Sequence, residues 1–93
     1  MNEEVYTGLL TRIIENEQSF YGNLAIEIFR KINGLDISSD GKILAISGDL
    51  KDVIRDIVVE YKKFDGDLSL KLIKSILEAY KSSYPGIDFP IIQ

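Results

Sequence analysis

Gly34–Asp49 reads GLDISSDGKILAISGD, and it sits between two flanks, 1–33 and 50–84, whose helical period it lacks. Leu35-Asp36-Ile37-Ser38 alternates apolar and polar, Ser39-Asp40-Gly41 forms a turn, and Lys42–Ser47 returns as a second strand. Asp-Gly is a strong hairpin signal, because both central residues of a type I′ turn need positive φ. A two-residue Asp40-Gly41 loop sets Ile37 opposite Leu44 and Leu35 opposite Ile46. A three-residue loop with Gly41 as the bulge sets Ile37 opposite Ile43 and Leu35 opposite Ala45. In either register Ile43-Leu44-Ala45-Ile46 is apolar on both faces, whereas an ordinary surface hairpin has one wet face. Such a strand asks for cover on both sides or for further strands beside it.

Upstream, Tyr6, Leu9, Leu10 and Ile13, then Phe20, Leu24, Ile28 and Ile32, recur at spacings of three and four. The phase is kept through 13, 17, 20 and 24, which favours one long helix with Glu17 on its apolar face over two helices with Ser19 capping the second. Gly22 inside that helix costs about 1 kcal/mol against Ala, which a closely packed partner backbone would explain. Asn33-Gly34 supplies the stop. Tyr21, Ala25 and Phe29 form a second apolar strip, and a helix with two apolar faces is buried on both.

Downstream, Asp49 is a natural N-cap, with Asp52 placed like the acidic member of a capping box. A helix follows through Leu50, Val53, Ile54, Ile57, Val58, Tyr61 and Phe64. Asp65-Gly66 breaks it and Asp67 caps the next, which is expected to bury Leu68, Leu72, Ile73, Ile76, Leu77, Tyr80 and Tyr84. Tyr84-Pro85-Gly86 ends that helix. In the tail IDFPIIQ, Ile87, Phe89 and Ile91 fall on one side, so it reads as extended and docked. The whole is a single α+β domain over 1–93, with the order α-β-β-α-α and a docked C-terminal tail.

The 93 residues carry 15 acidic and 11 basic side chains, a net charge of −4 that argues mildly against nucleic acid or an anionic membrane as the main partner. With no Cys and no His, disulfides, thiolate metal sites, Cys nucleophiles and the commonest general base are excluded. No apolar run approaches the ~18–20 residues of a membrane span. MNEEVYTG has no apolar signal core, and a reducing cytoplasmic compartment fits.

Asp49, Asp52, Asp56, Asp65 and Asp67 could hold a hard cation with water, but capping and solvation account for them. Gly41-Lys42 lacks the other residues of a phosphate loop. The serines have no His to activate them. Lys71, Lys74 and Lys81 on the last helix give the final helix pair a loose likeness to a helix-turn-helix. Glu78, the acidic loop and the absence of Arg from that helix speak against DNA. No catalytic residue, cofactor site or metal site is expected.

The reading is therefore a non-catalytic association or regulatory module, a homodimer formed through the hairpin or the first helix. Its expected interface is Tyr21, Ala25, Phe29, Ile43, Ile46, Ile87 and Phe89. The alternative is a small-ligand domain with an apolar, tyrosine-rimmed pocket. A helix-turn-helix nucleic-acid binder ranks third.

Overall fold

A computed structural model of the chain describes residues 2–90. Its elements run α1 (Asn2–Tyr21), α2 (Asn23–Phe29), β1 (Leu35–Ile37), β2 (Ile43–Ile46), α3 (Leu50–Asp65) and α4 (Leu68–Ser83). The α+β class and the helix–strand–strand–helix–helix order are as expected. The N-terminal helical segment, however, is two helices rather than one.

The break lies at Gly22, with φ 58° and ψ −131°. Residues 15–19, where the sequence left room for a break, stay helical, and the Gly22 amide still reaches back to the Gln18 carbonyl at 2.8 Å. Beyond the break the apolar phase restarts. Ala25, Ile26, Ile28 and Phe29 turn inward, while Phe20 and Leu24, expected on the core face, are 70% and 52% exposed. The second segment also ends early. After Phe29 the amides of Lys31 and Ile32 bond three residues back, tightening the chain into turns before Gly34.

The hairpin joins both candidate registers. At the tip, the Gly41 amide bonds the Ser38 carbonyl at 3.1 Å and the Ser38 amide bonds the Lys42 carbonyl at 2.8 Å, so Ile37 pairs with Ile43. At the open end Leu35 pairs with Ile46. Leu44 is the extra residue between the two, a β-bulge. The bulge sets Leu35, Ile37, Ile43 and Ile46 on one face, which neither regular register does. Leu44 is 63% exposed, and Ala45, opposite Asp36, is exposed as well. Gly34 must be glycine: at φ 85° a Cβ would stand 2.4 Å from the Ser47 carbonyl oxygen, which accepts no such approach.

Asp49 caps α3 as expected, accepting from the Lys51 amide at 2.9 Å. Asp67 makes no side-chain cap to α4; instead Asp65 Oδ1 accepts from the Ser69 amide at 3.3 Å. With its start set this way, α4 buries Ser69, Leu70, Ile73, Ile76 and Leu77. Leu68 and Tyr84, expected inside, stand exposed, as does Phe64 of α3. The core is one cluster in which Tyr61 and Phe29, rings 5.4 Å apart, fill the space between α2 and α3.

Among the described residues the tail docks on helices and adds no strand to the two-stranded sheet. Phe89 is buried with its ring 5.5 Å from Tyr6 and 6.4 Å from Tyr80, and Pro90 is buried with it. The Tyr6 hydroxyl donates to the Asp88 carbonyl, and Lys51 pairs with the Asp88 carboxylate. Ile91, expected on the same side, lies outside the described residues.

Candidate functional site

Ala25 and Phe29 have no exposed surface, because beyond the bend at Gly22 both turn into the core of the same chain, with Phe29 against Tyr61 of α3. This corrects their placement at an interface: one chain does cover the second apolar strip. Phe89 is likewise internal, at 4% exposure. Tyr21 is half-buried, its ring edge-on to Phe64 at 5.0 Å, and its hydroxyl donates to Asp65 Oδ2 at 2.6 Å. Ile87, at the start of the tail, is half-buried against the core. Of the expected interface set, Ile43 and Ile46 alone lie on one element with an open edge, and they bring Leu44 and Ala45 with them.

Beside that edge lies an open groove of about 360 Å³, walled by β2, by Glu3 and Thr7 of α1, and by Leu50 of α3. No tyrosine lines it. A cleft that a tyrosine does line is elsewhere and smaller, about 80 Å³, between the end of α1 and the start of α4. Pockets for drug-sized ligands measure roughly 300–1,000 Å³, well above the volume of this cleft.

Under the small cleft is a polar cluster that the sequence reading passed over. Glu17 has no exposed surface, and Ser69 is 3% exposed. The Ser69 hydroxyl lies 2.7 Å from Glu17 Oε2 and also contacts Asp65 Oδ2. A hydroxyl has one proton to donate, and a carboxylate has none. The single Ser69 proton is therefore given to Glu17 Oε2 or to Asp65 Oδ2, one at a time. Burial pushes Glu17 above the usual carboxyl range; the Ser69 hydrogen bond opposes this and the nearby Asp65 charge adds to it. Asp65 accepts from Ser69 Oγ, the Ser69 amide and the Tyr21 hydroxyl.

The Asp65 hydrogen bond is the first cause holding the Tyr21 phenol above its ordinary value, followed by burial. Tyr61 is raised further, by burial first and then by the Glu17 and Asp65 charges. Among the described residues, Glu17 Oε1 and the Tyr61 hydroxyl are buried with no hydrogen-bond partner. The signal for this cluster was legible in one respect: a glutamate fell in the apolar phase at 17. Its partners come from 44 to 52 residues away and could not be read from spacing.

Among the described residues no three His, Cys, Asp or Glu are grouped to hold a metal ion, and no helix is long and apolar enough to cross a membrane. Comparison of the chain with protein-family models, with curated proteins and with solved structures finds no match.

Proposed function

We propose that the chain is a non-catalytic association module that forms a homodimer through the outer edge of β2. One observation carries this reading: Ile43-Leu44-Ala45-Ile46 is an edge strand of four apolar residues, paired only with β1. Natural sheets blunt such edges with lysine, proline or inward charge, because an unguarded apolar edge templates pairing with another chain. A two-stranded sheet is also marginal alone, and three or more strands with an apolar face stand better. Two hairpins joined by antiparallel β2 edges about a two-fold axis make a four-stranded sheet.

Charge agrees with a second copy as the occupant. If Leu44 pairs with Ala45 of the other copy, Lys42 falls opposite Ser47 and diagonal to Asp49. The absence of Cys is compatible with a reducing cytoplasm, the compartment we assign with this role.

The test is the solution mass by sedimentation equilibrium, with Leu44→Lys and Ala45→Lys beside the wild type. Both side chains are exposed, so the substitutions leave the monomer's core intact. The expected result is a dimer at micromolar concentration that either lysine converts to a monomer of unchanged helix content. A wild-type mass equal to one chain throughout that range overturns the proposal. A dimer untouched by both lysines does so too.

A further inference from the structure

We propose that the cleft between the last turn of α1 and the first turn of α4 binds a primary alkylammonium group, seated on the Glu17 carboxylate and walled by Phe20, Tyr21, Leu68 and Leu72. The argument is independent of the β2 edge. It begins with a carboxyl that has an unused acceptor. Glu17 lines the cleft, its side chain is fully buried, and Oε1 has no partner among the described residues. A buried acceptor left unmade costs about 1–3 kcal/mol, so this oxygen is a standing demand for a donor.

The kind of donor follows from the charge. Every group that faces Glu17 from the elements packed around it is acidic or neutral: Tyr21 on α1, Tyr61 and Asp65 on α3, and Ser69 on α4. None of the ion pairs among the described residues involves Glu17 or Asp65. Two carboxyls in one hydrogen-bonded cluster with no cation beside them favour a cationic donor at the unpartnered oxygen. An ammonium group offers three donors, one more than Oε1 and Oε2 require.

The walls fit what an ammonium carries. The cleft's lining is largely apolar, its volume of about 80 Å³ admits a head group with a short stem, and two aromatic rings, 6.4 Å apart, stand at its side. Aromatic faces attract ammonium ions within about 6 Å of the ring centroid. Phe20 and Leu68 form the mouth and are 70% and 67% exposed, so each can swing aside on the nanosecond scale of surface rotamers.

Wherever Glu17 holds a proton, the entering ammonium displaces it to solvent, so one cation is exchanged for another and the cluster keeps its net charge. Protonation and occupancy therefore compete at the same carboxyl. Apparent affinity rises about tenfold per pH unit while Glu17 is protonated in the free protein, and levels off once it ionises.

The experiment is an amide chemical-shift titration of the full chain with n-propylammonium chloride from about pH 4, in the ordinary carboxyl range, up to about pH 9, where the amine stays charged. Propan-1-ol is the uncharged control, and Glu17→Gln keeps the shape of the protonated acid. A probe of this size is expected to bind with millimolar Kd. Support is a saturable shift at Tyr21, Ser69 and Leu72 that strengthens with pH, is absent with propanol and is lost in Glu17→Gln. No saturable shift with propylammonium at any pH overturns the proposal and leaves the cleft to bridging water. Equal shifts with propanol, or binding unchanged in Glu17→Gln, overturn it as well. Should the variant fold poorly, the pH dependence of the wild type alone decides.

A second arm uses Nα-acetyl-lysine methylamide. Binding as tight as propylammonium identifies a protein lysine as the natural source of the ammonium. Weaker binding identifies a free small amine, and either outcome upholds the chemistry.

Discussion

Replacing Gly22 with alanine separates two descriptions of the N-terminal segment by the sign of one number. In a continuous helix, Gly22→Ala would gain about 1 kcal/mol from helix propensity. In the broken chain, residue 22 sits at φ 58° and ψ −131°, a region that L-residues avoid at a cost of order 1–3 kcal/mol. Space plays no part, because a Cβ at this position meets no atom within 4 Å. The substitution therefore reads backbone strain alone. Alanine also restricts the unfolded chain, which offsets roughly 0.4–1 kcal/mol, so the net expectation is a loss of about 1–2 kcal/mol. For a domain of this size each kcal/mol lowers Tm by about 4–8 °C.

The assay is urea denaturation followed by circular dichroism in the helix band, with Gly66→Ala as a twin. Gly66 has φ 68° and ψ −123° and an equally open Cβ position, and it should lose a similar amount. A D-alanine at 22, placed by chemical synthesis, inverts the expectation, since the mirror of this backbone lies near polyproline II. A Gly22→Ala protein at least as stable as the wild type, with more helix, would refute the break and everything built on the restarted phase.

Asp49→Ala should cost about 1 kcal/mol in a denaturant midpoint, for it removes a made cap, while Asp67→Ala, with no side-chain cap to lose, should stay within roughly 0.5 kcal/mol. Phe29→Ala should lose about 3–5 kcal/mol and leave little folded protein, whereas Phe20→Ala, on the surface, should unfold with the wild type. The pH dependence of stability should carry Glu17's sign. Its folded pKa lies above the unfolded value, so the native state binds the extra proton. That contribution is complete below the ordinary carboxyl range and fades as pH rises toward the raised value. Glu17→Gln should flatten this decline, as read from melting temperatures across the acid-to-neutral range.

What could be read in the sequence was what local rules govern. The hairpin at Asp40-Gly41, the cap at Asp49 and the stripe of α3 all follow from spacings within a few residues. Where the reading went astray, one local choice propagated. Phase continuity through 13, 17, 20 and 24 looked like one helix, and Gly22 was charged as a helix defect rather than recognised as a corner. The positions of Leu24, Ala25 and Phe29 then followed the wrong phase, and an interface was inferred from a strip that the chain buries itself. On α4 the difference lies at the ends: Leu68 and Tyr84 stand out and Ser69 and Leu70 turn inward, while Ile73, Ile76 and Leu77 fall where the spacing puts them. The hairpin register could not be chosen because the chain uses both, with Leu44 as the joint. The Glu17 cluster was out of reach for a different reason: it is assembled from three helices, and no rule of spacing links 17 to 65 and 69.

The contact between Tyr6 and Asp88 spans 82 positions and turns the chain into a ring closed without a covalent bond. Loop closure over that length costs about 4 kcal/mol of chain entropy before any contact repays it. Release of this contact would uncover Tyr6 and Phe89 and leave the hairpin and the Tyr61–Phe29 packing in place. The molecule then has a latch as well as a core, and amide exchange at the start of α1 should run ahead of exchange in α3 by the free energy of the latch.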